Sequence, residues 1–171
     1  MLNLLRGYRL IILVVVVTFS LDQTSKYITI QNLSLGQSWP ETGFFRFTHI
    51  ANTGSAFGLF NNQNFILTVA AIFGIGILVY FYRSYQNPSF LTKISLGLVI
   101  SGALGNLTDR ILIGHVTDFI DIGPWYIFNI ADASIVTGMI ILISSKIFLE
   151  TRSSHWTYET VSYAGDEEYE P

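Results

Sequence analysis

Apolar residues along the chain are concentrated in four long runs separated by polar stretches. The runs cover about residues 10–30, 65–82, 90–108 and 127–148, and the second contains no charged residue. Each is close to the ~20 residues that a helix needs to cross the hydrocarbon core of a bilayer. Because lipid offers the backbone no hydrogen-bond partners, such segments are expected to be helices. The pattern therefore predicts an all-α membrane protein built as a four-transmembrane-helix bundle.

The stretch between the first two runs, about residues 31–64, has the shorter period of a β-strand. Residues 45–50, FRFTHI, alternate every two positions, as strand residues do. The NTGSAFG that follows contains Gly54 and Gly58, which permit the unusual backbone angles of a turn. We therefore expect a small extracytoplasmic β-element on the membrane surface, between spans one and two. Three aromatic side chains of this segment are expected to reach the lipid interface: Trp39, Phe44 and Phe60.

The composition of the chain agrees with a membrane protein. Only 12% of the 171 residues are charged and the mean hydropathy is +0.47, whereas a soluble domain carries about 25% charged residues. The chain has room for one integral-membrane domain, residues 1–150, followed by a polar acidic tail, residues 151–171, that is expected to be disordered. A net charge of −3 provides no basic surface for nucleic acid.

Residue usage also excludes several kinds of site. The chain has no cysteine, which excludes disulfides, thiolate metal sites, a cysteine nucleophile and a lipidated cysteine anchor. Its three histidines are scattered and form no H-E-x-x-H motif, and no G-x-S-x-G-type turn supports a serine triad around His115. We therefore expect a site without metal or cofactor.

The distribution of basic residues predicts how the chain lies in the membrane, because Lys and Arg accumulate on the cytoplasmic side. Six basic residues share one side if the chain crosses four times: Arg6, Arg9, Arg83, Lys93, Lys146 and Arg152. Three lie towards the other side: Lys26, Arg46 and Arg110. Both termini are therefore expected to be cytoplasmic. No small-x-small cleavage site follows the first run, so we expect it to be retained as a span rather than removed as a signal peptide.

Polar residues of several segments converge under this topology. Alternate crossings bring parts of runs one, three and four to one depth, near the outer leaflet. Seven polar side chains are expected there: Asp22, Asn106, Asp109, Arg110, Asp118, Asp121 and Asp132. Since charge within a membrane is costly, such groups are expected to face the bundle interior and to mark a functional site.

Several of these residues also have simpler structural interpretations. Asp22 and Lys26 are four apart, share one helix face and can form an ion pair that lowers the cost of insertion. We favour that role for them over direct chemistry. Asp109 and Arg110 point differently on a helix, so either can pair with a neighbouring span. Arg110 can instead bind a substrate carbonyl or a lipid head group.

The asparagines and the remaining aspartates present the same choice. Asn52 is typical of turns. Asn129, three residues before Asp132, is typical of a helix N-terminus, where Asp132 can simply stabilise the helix dipole. Asp118 and Asp121 can be solvated loop acids, and being three residues apart they need not face the same way. Each of these positions is compatible with a structural role as well as a chemical one.

Two aspartates near a hydrophobic boundary nevertheless indicate a reaction. Two close carboxylates cannot both ionise readily, so one of them holds a proton near neutral pH. The charged one can then take a proton from water, and the protonated one can donate to a carbonyl or to a leaving amine. This is the chemistry of an aspartyl peptidase, which needs neither a metal nor a nucleophilic side chain.

Two other functions remain open on these residues alone. A small proton or ion carrier would use intramembrane acids and a lysine as relay groups, although the acids lie at one leaflet and the second run offers no polar path. A non-enzymatic membrane scaffold would use glycines where its helices pack. The glycines suited to helix packing are Gly74, Gly76, Gly97, Gly102 and Gly105.

Five short motifs occur in order along the four runs. They are DQTSK at 22–26, NTGSAFG at 52–58, GNLTDR at 105–110, GHVTDFID at 114–121 and FNIADA at 128–133. Any one of them is weak, but five in this order are highly specific. On these motifs the chain resembles the lipoprotein signal peptidases, also called signal peptidase II, over about residues 8–150.

The resemblance implies a function and a site. Family members are aspartyl endopeptidases of the bacterial plasma (inner) membrane. They remove the signal peptide of a prolipoprotein just before a diacylglyceryl-modified cysteine, at the outer leaflet, and carry a β-cradle on the membrane surface. The motifs assign the catalytic pair to Asp118 and Asp132, whereas Asp121 lies in the same motif but outside the pair. The matching binding and support residues are Asp22, Lys26, Asn52, Gly54, Asn106, Asp109, Arg110 and Asn129.

The resemblance also implies the partners of the protein. We expect diacylglyceryl-modified prolipoproteins as substrates, membrane lipid around the helices and globomycin-type cyclic peptides as inhibitors. The enzyme is expected to act as a monomer. The acidic tail has no counterpart in the motifs.

Overall fold

The computed structural model describes residues 2–54, 64–84 and 88–145 of the chain. Within these ranges the chain forms four helices, α1 Leu2–Asn32, α2 Asn64–Ser84, α3 Phe90–Leu112 and α4 Ile130–Ser145. It also forms three strands, β1 Ser38–Trp39, β2 Arg46–Asn52 and β3 Val116–Asp121. The expected acidic tail, together with Gly58 and Phe60, lies outside the described residues.

The helices coincide with the four apolar runs. By length and composition, α1 over Tyr8–Asn32 and the whole of α3 are long and apolar enough to cross a bilayer. Within the described residues, α2 and α4 contribute the apolar stretches Asn64–Tyr80 and Ile130–Ser145. At the start of α3, Ser89 accepts a 3.1 Å hydrogen bond from the backbone nitrogen of Thr92. This bond satisfies one of the donors that a helix N-terminus leaves free.

The helices pack closely at some of the predicted glycines. A Cβ atom added at Gly97 would collide with α1, one added at Gly102 would collide with α4, and one added at Gly105 would collide with α1. The prediction is wrong for Gly74 and Gly76. Nothing in the described ranges lies within 4 Å of a Cβ atom built at either of them, because that side of α2 borders open space.

The strands form one antiparallel sheet in the order β1-β2-β3. The predicted period-two segment is β2, but the third strand comes from the connection between α3 and α4. The β-element is therefore larger than the stretch 31–64 to which the sequence pattern assigned it. β3 pairs with β2 because the backbone groups of β2 need hydrogen-bond partners. The sequence pattern did not predict this pairing, because a partner strand far along the chain does not affect the alternation of residues within β2.

The polarity of the interior is inverted relative to a soluble protein. The described helices all expose large apolar side chains, among them Leu13, Phe73, Leu112 and Ile140. The buried set, by contrast, is rich in polar and charged groups: Asp22, Lys26, Asn106, Asp109, Asp118, Asp121 and Asn129. An apolar exterior around a polar interior is the arrangement that a lipid environment favours.

Candidate active site

Asp118 lies on β3 with its carboxyl group between two asparagine amides. It is 2% exposed. Asn129 Nδ2 donates to its Oδ1 at 2.6 Å, and Asn52 Nδ2 donates to its Oδ2 at 2.8 Å. Burial raises the pKa of Asp118 to about 6, a rise that the amide donors limit and that the negative charge of Asp132 increases. This carboxyl group therefore retains a proton more readily than an exposed one.

The amide of Asn52 is oriented by the turn that follows β2. The backbone nitrogen of Gly54 donates to Asn52 Oδ1 at 2.8 Å, which leaves Nδ2 of Asn52 free to face Asp118. Gly54 has a φ of +80°, in the left-handed region that residues with a Cβ seldom adopt. The predicted unusual backbone at Gly54 is confirmed, and its consequence is a hydrogen-bond donor placed on Asp118.

Asp132 lies in the first turn of α4, which Asn129 caps. Asn129 Oδ1 accepts from the backbone nitrogen of Asp132 at 2.9 Å, and Asp132 Oδ2 accepts from the backbone nitrogen of Asn129 at 3.4 Å. This reciprocal pair is a capping box, so the predicted position of the two residues at a helix start is confirmed. The other oxygen of Asp132 accepts a 2.7 Å hydrogen bond from Asn106 Nδ2. Both carboxylate oxygens of Asp132 are therefore held in place.

Asp118 and Asp132 line the same cleft. Its volume is about 1120 Å³, and Asn52 and Gly54 also lie on its wall. Much of the remaining wall is apolar: Ile50, Ile122, Trp125, Tyr126, Ile127, Phe128 and Val136. Such a cleft suits an apolar ligand that presents a polar group to the two carboxyl groups. Within the described residues, no three His, Asp or Glu side chains are arranged to hold a metal ion.

Lys26 is the centre of a buried ionic cluster behind the cleft. Its Nζ atom lies 2.9 Å from Asp22 Oδ2 and 3.0 Å from Asp109 Oδ2, and it donates to Asn106 Oδ1 at 3.1 Å. The three acceptors match the three N–H bonds of an ammonium group. The predicted ion pair between Asp22 and Lys26 is confirmed. A second acid, Asp109 of α3, completes the cluster. Lys26 is 2% exposed, so its buried charge needs such compensation.

The two acids of this cluster each hold a segment that carries a proposed catalytic carboxyl group. Asp22 Oδ1 accepts a 2.8 Å hydrogen bond from the backbone nitrogen of Ala131, in the first turn of α4. Asp109 Oδ2 accepts a 3.0 Å bond from the backbone nitrogen of Thr117, on β3. The cluster therefore fixes α4 and β3 relative to α1 and α3.

Gln23 belongs to the same cluster, although it was not among the predicted site residues. Its Nε2 atom donates to Asp22 Oδ2 at 3.1 Å, to Asp109 Oδ1 at 3.2 Å and to the backbone oxygen of Gly105 at 3.3 Å. Its position in the DQTSK motif, between Asp22 and Lys26, was the feature of the sequence from which this role could have been predicted. A polar residue next to a predicted buried acid is a candidate for the same network.

Asn106 connects the ionic cluster to the carboxyl groups of the cleft. Its Oδ1 atom accepts from Lys26 and also from Asn129 Nδ2 at 3.1 Å. Because the oxygen is occupied by two donors, the amide nitrogen must face Asp132. Lys26 thus orients the amide that holds Asp132.

Arg110 is bound less tightly than its neighbours. Its Nη1 atom donates to the backbone oxygen of Asn106 at 3.5 Å, within the same helix. In the part of the chain that the structure describes, it forms no ion pair with another span. It is the neighbouring Asp109 that pairs across helices. The interpretation of Arg110 as a binder of a substrate carbonyl or head group stays a prediction.

The interpretation of Asp118 and Asp121 as solvated loop acids is wrong, because both are 2% exposed and lie on β3. Asp121 accepts a 2.8 Å hydrogen bond from the Thr48 hydroxyl and a 3.0 Å bond from the backbone nitrogen of Gly123, and pairs with Arg46 Nη2 at 2.7 Å. These three partners, Thr48 first, hold the pKa of Asp121 below its usual range.

All ten predicted site residues are joined by hydrogen bonds or ion pairs into one network. Its links run from Gly54 through Asn52 to Asp118, then through Asn129 to Asn106. Asn106 in turn contacts the remaining five: Asp132, Lys26, Arg110 and, through Lys26, Asp22 and Asp109. Asp121, which the motifs placed outside the catalytic pair, bonds to a separate set of residues.

Comparison with known proteins gives the same family as the motifs. A model of the family described as signal peptidase (SPase) II matches residues 14–148. The chain is 40% identical over 136 residues to a lipoprotein signal peptidase of Fusobacterium nucleatum, which is 77% of this chain and 82% of the relative. It is 39% identical over 143 residues to a lipoprotein signal peptidase of Dehalococcoides mccartyi, which is 81% of this chain and 87% of the relative.

Solved structures share the fold. Two structures described as a bacterial membrane enzyme studied by the in meso method, at 2.3 and 1.9 Å resolution, each have a TM-score of 0.73 and 33% sequence identity. The similarity covers 80% and 79% of this chain and 87% and 90% of the solved chains, respectively. The chain therefore belongs to the signal peptidase II family of membrane-embedded proteases.

Proposed function

We propose that this protein removes the signal peptide from bacterial prolipoproteins, cleaving just before the diacylglyceryl-modified cysteine, with Asp118 and Asp132 as its catalytic pair. The observation that carries the assignment is that these two carboxyl groups, from β3 and α4, line one cleft and share Asn129 as a hydrogen-bond donor. A side chain and a backbone nitrogen of one residue thus hold both reacting groups.

The chemistry follows from the environments of the two acids. Asp118 is the acid that retains a proton more readily, since burial raises its pKa to about 6, and Asp132, in the first turn of α4, is the proposed base. Asp132 takes a proton from a water molecule while the oxygen of that water attacks the scissile carbonyl carbon. Asp118 donates its proton to the carbonyl oxygen. The tetrahedral intermediate then collapses. The carbon–nitrogen bond breaks, the amine leaves with a proton from Asp132, and Asp118 recovers its own from the hydroxyl.

The remaining residues of the network have supporting roles in this proposal. Asn52 lines the cleft, and its amide and the guanidinium of Arg110 are suited to hold the backbone of the peptide. Lys26, Asp22, Asp109 and Asn106 keep the two carboxyl-bearing segments in register. Removal of the buried cation would leave two acids facing each other without compensation.

The proposed topology has four membrane spans, both termini in the cytoplasm and the cleft near the outer leaflet of the plasma membrane. It is supported by the apolar exteriors of the helices and by the basic residues on the predicted cytoplasmic side. Trp39 and Phe44 are 65% and 72% exposed, as aromatic residues at a lipid interface are expected to be. A lipid-linked substrate would then enter the cleft sideways through the bilayer, and globomycin-type peptides would compete for it.

The test uses the full-length protein purified in detergent and a prolipoprotein peptide that carries a diacylglyceryl cysteine. Cleavage before the modified cysteine is expected, with the same peptide lacking the lipid as a poor substrate. Asp118→Asn and Asp132→Asn are each expected to lower kcat by about 10³-fold or more. Glu41→Gln, at an exposed acid of the outer segment, is the matched control and is expected to be active. A normal rate in either aspartate variant would refute the catalytic pair.

The ion-carrier alternative makes a different prediction. A carrier would change the internal pH of vesicles that contain the protein, and it would not need the diacylated peptide. We expect no such pH change, because the described α2 presents no acidic residue to the bilayer interior.

A further inference from the structure

The buried acid that the proposed reaction leaves unused is Asp121. It ends β3, three residues after Asp118, and it is not among the residues that line the cleft. Its Oδ2 atom contacts Thr48 and Arg46 of β2, and the Thr48 hydroxyl lies 2.8 Å from Ser38 Oγ of β1. One carboxylate therefore connects all three strands of the described sheet.

Asp121 also binds one residue beside an irregularity in the strand pairing and one residue within it. Arg46 lies opposite Asp121, and the next pair along the ladder is Phe47 with Ile120. Beyond that point, Ile50 lies opposite Asp118, so β2 has one residue more than β3 between these pairs. Such an extra residue is a β-bulge. Thr48 is one of the residues in the bulge, and its hydroxyl group is the donor to Asp121.

The register at this bulge decides which residue of β2 lies beside the catalytic carboxyl group of β3. Side chains alternate between the two faces of a strand, so a shift of pairing by one residue turns each side chain to the opposite face. With the bulge in place, Asp118 faces Asn52, Asn129 and the cleft. Because the extra residue belongs to β2, β3 would keep its own alternation without the bulge, but Asn52 would turn to the face of the sheet opposite Asp118.

On the basis of the proposed function, we infer that Asp121 is a positioning residue. Its bonds to Thr48 and Arg46 hold the bulge and thereby keep the amide of Asn52 on the face where it donates to Asp118. The two bonds contribute unequally. Thr48 is 6% exposed, whereas the Arg46 side chain is 30% exposed and its ion pair is weakened by solvent. The Thr48 hydroxyl is therefore the stronger of the two restraints.

The test measures kcat and KM of the full-length protein in detergent with the diacylated peptide, at a temperature well below the melting transition. Asp121→Ala is expected to lower kcat by about 10- to 100-fold, because the amide that holds the catalytic carboxyl group is misplaced, with KM within about 2-fold because the apolar part of the cleft wall is intact. Thr48→Val, which removes the hydroxyl group and keeps the shape, is expected to lower kcat by about 3- to 10-fold. Arg46→Gln is expected to have a smaller effect than Thr48→Val.

Glu41→Ala is the matched control, because it removes an exposed acid from the same outer segment, and its kcat should stay within about 2-fold of the parent. If Asp121→Ala does not fold, Thr48→Val and Arg46→Gln decide the question. The inference would be overturned if kcat were unchanged in Thr48→Val or if the variants changed KM instead of kcat. It would also be overturned if the loss of kcat only matched the loss of folded protein. A parent protein that does not cleave the peptide would refute the proposed function itself, which separates the two failures.

Discussion

The side-chain amide of Asn129 donates a 2.6 Å hydrogen bond to Oδ1 of Asp118, so the residue that precedes α4 holds the carboxyl group of β3. The same amide also donates to Asn106 Oδ1 at 3.1 Å. Asn129 is fully buried, at 0% exposure. Its side chain is thus shared between the cap of a helix, the sheet and the polar network between α1 and α3.

The first prediction concerns this shared residue. Asn129→Ala is expected to lower kcat by about 100-fold, because the proposed pair of carboxyl groups loses its common support. It should also lower the free energy of unfolding by about 1–3 kcal/mol through the lost cap and the unpaired polar groups. Cleavage kinetics and thermal melting in detergent measure the two effects. Asn32→Ala, at an exposed asparagine that bonds to its own helix, is the control. Equal behaviour of the two variants would contradict the role of Asn129.

The second prediction concerns the buried cation. Lys26→Met is expected to reduce the free energy of unfolding by about 3–5 kcal/mol, since Asp22 and Asp109 would remain buried without their counter-charge. Lys26→Arg is also expected to be less stable than the parent protein. Three acceptors converge on the single nitrogen of Lys26, whereas a planar guanidinium distributes its N–H donors over three nitrogens. Chemical or thermal unfolding in detergent is the measurement, with Lys93→Met on α3 as the control. A stable Lys26→Met protein would mean that the cluster is not ionised as described.

The third prediction compares two helical glycines. A Cβ atom at Gly105 would lie 2.5 Å from Asp22 Oδ2, whereas one at Gly74 would meet nothing within 4 Å in the described residues. Gly105→Ala is therefore expected to destabilise the protein by about 1–3 kcal/mol and to reduce activity by moving Asp22. Gly74→Ala should be neutral or stabilising by up to about 1 kcal/mol, because alanine is the better helix former. Melting temperatures of the two variants give the comparison, and the reverse order would refute the described packing.

The fourth prediction is a dependence of stability on pH that Asp118 causes. Its pKa rises from an ordinary 3.8 to about 6 on folding, so the folded state binds more protons between these values. Stability is therefore expected to fall as pH rises from about 4 to 6 and to level off above that, by at most about 3 kcal/mol. Asp121, whose pKa is lowered, acts in the opposite sense and only below its ordinary value.

The measurement is the melting temperature of the purified protein between pH 4 and pH 8, compared with that of Asp118→Asn. The decline between pH 4 and 6 is expected in the parent protein and is expected to be absent in the variant. Parallel profiles for the two proteins would show that Asp118 does not carry the shifted pKa.

Local patterns in the sequence were sufficient for the helices and for part of the site. The four apolar runs predict α1 to α4 because a backbone in lipid must satisfy its own hydrogen bonds. The four-residue spacing of Asp22 and Lys26 and the three-residue spacing of Asn129 and Asp132 predict contacts within one helical turn. Each of these features depends on neighbours in the chain, and the structure contains each of them.

Only the tertiary structure decided which distant residues meet. It placed Asp109 of α3 on Lys26, recruited Gln23 and paired β3 with β2 across a bulge. Such contacts depend on helix rotation and strand register. A change of one residue in register turns every side chain to the other face without changing the local period. The sequence by itself therefore determined the helices, the strand β2 and the family, and the packing of the elements determined that β3 joins the sheet and that Asp118 and Asp132 face one cleft.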